Sequence, residues 1–274
     1  MRQALTFIVV VMTSLPVFAE DLFKSKIHES RLYDIFLKEG VPEPALKRSF
    51  QFLNLHRNKH IKVKAKIRTF KRSQMGTRAL KINKDHLAII DYTKPSKEKR
   101  LYILNLKKGT VSRHLVAHGK GSGSDIATKF SNEEGSLMSS LGFYLVGNTY
   151  WGQHGETLNL YGLDPFNDQA AERNIVMHAA SYVSEDFIKT SGRLGRSWGC
   201  PAVSQDVMDQ IIKLLQDGGL IYAYHEELDR KELTQPILQA ADDNVPDDIP
   251  VPVLKDNKIG PPLPVLPEQS NLLD

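Results

Sequence analysis

Gly195-Arg196-Ser197-Trp198-Gly199-Cys200-Pro201-Ala202-Val203 carries the only cysteine in this 274-residue chain. A single cysteine has no intrachain disulfide partner, and an unpaired thiol in an oxidising compartment is either a small buried hydrophobe or a reactive group. The flanking residues favour reactivity. Gly199 lets the backbone turn tightly before the thiol and brings main-chain amides beside it. A cysteine nucleophile also needs a base and amide donors for a developing oxyanion. His178, closing the apolar run Ile175-Val176-Met177, is placed at a strand end where it can serve as that base.

Working outward, the chain opens with Met1-Arg2 and an apolar stretch from Ala4 to Met12, and Val17-Phe18-Ala19 has the small residues of a cleavage site. The run is too short to cross a bilayer, so residues 1–19 read as a signal peptide and the mature protein as exported, periplasmic where the cell has a periplasm. Contact with a membrane is at most peripheral, and an exported chain is a poor partner for nucleic acid. The formal net charge is +4, unevenly spread: no acidic residue lies between Glu43 and Asp85, while Lys62, Lys64, Lys66 and Arg68 alternate with Ile61, Val63, Ala65 and Ile67. That is the period-2 pattern of a half-buried strand with a basic outer face. The face is either solvated or in contact with an anionic envelope polymer.

Helical spacing runs through Ser30 to Lys38 and from Glu43 to about Arg57, giving residues 20–84 the look of a helical and basic extension. His56 and His60 are expected on an exposed helix face. Short β-rich runs follow at His86 to Tyr92, Arg100 to Leu106, Thr110 to Ala117, Gly142 to Val146 and Ile175 to His178, then a helix from Ser204 to Gln216 and a last strand from Leu220 to Tyr224. Residues 85–228 therefore read as a mainly β catalytic domain with a helix after the cysteine. Residues 229–274 are crowded with proline and acidic side chains and read as a disordered tail.

His114 and His118 stand four apart, but no third ligand accompanies them and no zinc site is expected. Gly119-Lys120-Gly121-Ser122-Gly123 lacks phosphate-loop spacing. No cofactor is required.

Ser197-Trp198-Gly199-Cys200 with His178 resembles the signature of the L,D-transpeptidases with a YkuD-type catalytic domain. The runs Leu115-Val116-Ala117-His118-Gly119, Phe130-Ser131-Asn132, Ser139-Ser140-Leu141-Gly142-Phe143-Tyr144 and Gly195 to Val203 are similar to its murein L,D-transpeptidase-like subgroup. The resemblance spans roughly Ile89 to His225 and implies a YkuD-type β-sandwich and a cysteine acyltransferase acting on peptidoglycan peptide stems. It implies Cys200 as nucleophile and His178 as base; Gly199 and Cys200 are candidate oxyanion amides. Ser197 and Trp198 stand in supporting positions, Arg173 and Arg196 are candidates for holding a stem carboxylate, and His118 is a candidate cleft contact. Better-known members carry histidine where Trp198 stands and asparagine or arginine soon after the cysteine, where this chain has Pro201 and Ala202. Transfer to an amine, hydrolysis by an L,D-carboxypeptidase or endopeptidase, and non-catalytic peptidoglycan binding remain distinct outcomes. A papain-like order is disfavoured, because here histidine precedes cysteine.

Overall fold

The computed structural model describes residues 21–57, 59–68, 73–82 and 85–228. The segments read as signal peptide and tail lie outside them. A short ribbon of β1 (Lys26–Ile27) and β2 (Ser30–Arg31) leads into α1 (Leu32–Lys38) and α2 (Glu43–His56). The basic block then folds as a long antiparallel hairpin of β3 (His60–Arg68) and β4 (Ser73–Lys81), paired from His60↔Lys81 to Arg68↔Ser73.

The remaining strands are β5 (His86–Asp91), β6 (Leu101–Asn105), β7 (Thr110–His114), β8 (Gly142–Gly152), β9 (Gly155–Gly162), β10 (Val176–Ala179), β11 (Ala202–Val203) and β12 (Leu220–Tyr224). They form one sheet in the order β11-β10-β9-β8-β12-β5-β6-β7. Its two ends approach each other, because Ala117, just past β7, bridges to Ala202 in β11. The sheet therefore curls on itself, and the curl brings the segment 117–120 against the segment 197–202. Two helices complete the domain: α3 (Glu185–Ser191), capped by the Ser184 hydroxyl accepting from the Phe187 amide at 3.1 Å, and α4 (Gln205–Leu215).

One large core runs through the extension and the sheet, and a small separate cluster of Ala117, Val183, Leu194 and Ala202 sits at the seam of the curl. β5 and β12 are buried almost throughout, as near-unbroken apolar runs require of strands covered on both faces. Phe52 of α2 stacks on Phe143 of β8 at 4.3 Å between centroids, and Phe143 stacks on Tyr222 of β12 at 4.1 Å. The helical extension thus shares the sheet's core and is no loose preface. α4 contributes Met208, Ile211 and Leu215 to the same core. Asp164, buried beneath β8, accepts from the Phe143 amide, and burial raises its carboxyl to about 6.

The expected strands and helices are present, with β8 extending to Gly152, six residues beyond the expected Val146. β1, β2, β4, β9, α3 and β11 were not anticipated, and the helix expected from Ser30 begins at Leu32 because Ser30–Arg31 pairs in β2. β4 is an edge strand in which Ser73, Gln74 and Thr77 dilute the alternation, and β9 carries Asn159 between Leu158 and Leu160, both buried. His56 does not lie on an exposed face. It is buried on α2 against Phe52, with ring centroids 4.5 Å apart, and His60 begins β3 instead of continuing the helix.

Candidate active site

Cys200 is half-buried in the turn that enters β11. The parallel register sets Ala202 beside His178, so the Cys200 turn runs alongside β10. The sulfur accepts from the Val176 amide at 3.5 Å and lies 3.8 Å from the Asn174 carbonyl. Burial pushes the thiol up from its ordinary range, while the Val176 amide and the Arg173 charge oppose that rise.

His178 is buried at the end of β10, and its Nδ1 lies 2.9 Å from the Ala179 carbonyl. A carbonyl only accepts, so Nδ1 carries the proton and Nε2 keeps its lone pair. Burial is the main cause that lowers the imidazole to about 4, and the His154 ring adds to it. That ring stacks on His178 at 4.4 Å from the turn between β8 and β9. At neutral pH His178 is therefore a free base. Among the described residues no hydrogen bond joins it to the thiol, and the pair rests as neutral thiol and neutral imidazole.

The Cys200 turn is braced from behind by a set of polar groups. The Ser197 hydroxyl donates to the Cys200 carbonyl at 2.6 Å and accepts from the Gly199 amide at 3.1 Å. The Ser139 hydroxyl donates to the Gly199 carbonyl at 3.1 Å and accepts from the Gly119 amide at 3.0 Å. Ser197 is further fixed by main-chain bonds to His118 and Lys120. Two glycines make this approach feasible. Gly199 has φ +128, a backbone conformation that side chains rarely adopt, and a Cβ on Gly119 would stand 2.7 Å from the Gly199 Cα.

Beneath the brace lies Arg100, wholly buried. Its Nη1 donates to the Lys94 carbonyl at 2.7 Å, its Nε and Nη2 to the Val116 carbonyl at 3.1 and 3.0 Å, and its Nη2 to His118 Nδ1 at 2.7 Å. Burial, then the neighbouring Arg100 charge, lowers His118 to about 4. His118 is itself fully buried, so it does not line the cleft as expected; it holds the segment on which Ser197 leans.

The other candidates fall on both sides of the thiol. Arg173 does not offer an open guanidinium. Its Nη1 donates to the Ser131 carbonyl at 2.9 Å and the Ser140 hydroxyl at 3.0 Å, and its Nη2 to the Met138 carbonyl at 2.6 Å. It pins the loop 131–140 and places a positive charge near the sulfur. Arg196 spends one donor on the Gly123 carbonyl at 3.1 Å and is partly exposed. The Gly199 amide is committed to Ser197, whereas the Cys200 amide has no acceptor among the described residues. Trp198 is 71% exposed with Lys120 over its ring at 5.6 Å, and Trp151, on the β8–β9 hairpin with His154, is 72% exposed. Sequence reasoning missed Arg100, Ser139, His154 and Tyr182, whose ring packs on Gly195 and whose hydroxyl is raised by burial and by nearby Cys200. Only Ser139 carried a signal, inside the motif Ser139-Ser140-Leu141-Gly142.

A cysteine turn braced by serines beside a neutral histidine has the groups that acyl transfer through a thioester needs. Solved structures similar to this chain include an L,D-transpeptidase from Mycobacterium smegmatis, 10% identical over 61% of this chain and 68% of that one, TM-score 0.33. L,D-transpeptidase 1 of Mycobacterium tuberculosis is 9% identical over 55% and 70%, TM-score 0.31. The C442S mutant of the Enterococcus faecium L,D-transpeptidase is 11% identical over 67% and 90%, TM-score 0.33. No curated protein matches the chain. The decisive likeness is in the sequence: residues 57–224, which hold the hairpin, the curled sheet, His178 and Cys200, match the profile of the L,D-transpeptidase catalytic domain, and the chain belongs to that family.

Proposed function

We propose that this protein is a peptidoglycan-remodelling cysteine L,D-transpeptidase acting on tetrapeptide stems. Cys200 Sγ attacks the carbonyl that joins the third stem residue to the terminal D-alanine, and the thiol proton passes to His178 Nε2. The C–N bond breaks, D-alanine leaves with that proton on its amine, and the acyl group remains as a thioester. An amine from a second stem then attacks the thioester and gives a proton to His178, which passes it to the departing Cys200 sulfur as the C–S bond breaks, restoring the thiol and forming a 3-3 cross-link. A free D-amino acid as acceptor gives exchange of the terminal residue. The Cys200 amide is the donor this reading assigns to the oxyanion; the Gly199 amide joins it only if Ser197 gives up its bond.

The observation that carries the reading is the neutral His178, its Nδ1 tied to Ala179, on the strand that runs beside the Cys200 turn. A proton-accepting Nε2 is what the first step needs. The leader-like residues 1–19 support export to the compartment where such stems occur. Incubating the mature protein and its Cys200→Ala variant with disaccharide-tetrapeptides, with products read by mass spectrometry, tests it. Cross-linked dimers or exchanged termini that depend on Cys200 are expected. Shortened monomers alone would make the protein a hydrolase, and no Cys200-dependent product would overturn the reading.

A further inference from the structure

The basic hairpin reaches the active site. Strand alternation buries Ile61, Val63 and Ala65 of β3 and leaves Lys62, Lys64 and Lys66 on the other face. Arg78 of β4 anchors the hairpin, donating to Asn148 Oδ1 at 2.6 Å. Lys64 lies 3.8 Å from the Asp168 carboxylate and is neutralised there. Lys66 is different. Its Nζ donates to Asn174 Oδ1 at 2.8 Å, a neutral amide, and among the described residues it forms no ion pair. Glu172, two positions before Asn174, does not pair with it. Asn174 is held at φ 55, and its own carbonyl is the group 3.8 Å from Cys200 Sγ. One residue therefore separates the nucleophile from an uncompensated ammonium, and the nearest guanidinium, that of Arg173, is spent on the 131–140 loop.

We infer that Lys66 forms a carboxylate-binding subsite that reads the side chain of the acyl-donor residue. With the scissile carbonyl at Sγ, that side chain passes over Asn174 toward the ammonium. A third stem residue bearing a free side-chain carboxylate, as diaminopimelate does, is favoured. Its amidated form loses the charge, and lysine places a second cation against Lys66. The inference rests on the stem-peptide reading above and gives it a chemical preference.

Binding of disaccharide-tetrapeptides with free or amidated diaminopimelate to Cys200→Ala, measured by calorimetry, tests it without turnover. The free acid is expected to bind about fivefold more tightly, the scale of a rim ion pair, and less so at high salt. Adding Lys66→Gln, which keeps a hydrogen-bond donor for Asn174, is expected to bring the two affinities together. Equal affinities in the Cys200→Ala protein, or a preference that survives Lys66→Gln, would overturn the subsite. Absence of Cys200-dependent product from the wild type would instead count against the transpeptidase reading, so the two failures are told apart.

Discussion

The two sides of the Cys200 turn are built by opposite rules. Behind the thiol, Arg100, His118 and Ser139 are buried; Arg100 bonds to the Val116 carbonyl and His118 Nδ1, and the Ser139 hydroxyl bonds to Gly119 and Gly199. In front, Trp198, Trp151 and His154 are exposed, and the Lys66 charge has no counter-ion among the described residues. Buried polar groups must be satisfied or they cost free energy, so the back fixes one geometry. Exposed aromatic rings and open charges cost little in the free protein and gain when a substrate covers them. The difference teaches that position is set from the back and selection from the front, with His178 at the seam.

Breaking the seam has the largest expected effect. His178→Ala is expected to slow acylation of Cys200 by roughly 100- to 10,000-fold, the range for losing a positioned acid–base group. Stopped-flow acylation with a tetrapeptide measures it, and an unchanged rate would remove His178 as base. Because the wild-type thiol is raised and the imidazole is about 4, no thiolate–imidazolium plateau is expected. Alkylation by iodoacetamide is expected to keep rising as pH passes the ordinary thiol value of about 8.5.

The back comes next. Arg100→Leu leaves the Lys94 and Val116 carbonyls and His118 Nδ1 without their donor, and a loss of about 3 kcal/mol or more in denaturant stability is expected. Ser139→Ala removes a single hydroxyl that ties Gly119 to Gly199. About 1–2 kcal/mol of stability is expected to go with it, along with a fall in kcat at little change in KM. The front gives the smallest effects on the fold. Trp198→Ala is expected to stay within about 0.5 kcal/mol of wild type in stability, while KM for disaccharide-peptides rises severalfold. A KM effect from Ser139→Ala, or a stability effect from Trp198→Ala, would blur the division.

Cys200, Trp198 and His178 stand out in the chain because they sit in the motif Gly195 to Val203 and at the end of the run Ile175 to His178, although the exposure of Trp198 is not written there. The β3 strand was legible for a similar reason: its alternation of Ile, Val and Ala with Lys is a local, period-2 signal. Of the back, Ser139 and His118 lie inside motifs that stand out in the chain, but their bracing contacts are not written there. Arg100 looks like any surface arginine in sequence, and only the curl that joins Ala117 to Ala202 buries it beneath His118. His118, beside Gly119 in the run Leu115 to Gly119, stands as a cleft contact in sequence, yet it is fully buried. That glycine serves close backbone packing against Gly199 instead. The place of Lys66 depends on a hairpin meeting a loop more than a hundred residues later, which no local pattern encodes.

Trapping of the acyl-enzyme is the most direct test of the central claim that Cys200 carries the acyl group. Wild-type protein is mixed with a disaccharide-tetrapeptide, quenched in acid, and mapped by peptide mass spectrometry. The account predicts a hydroxylamine-sensitive adduct, equal in mass to the substrate acyl group without D-alanine, on the peptide containing Cys200, and only a trace of it at the same early time in His178→Ala. Product formation with no thioester at Cys200, or with an adduct on another residue, would contradict it.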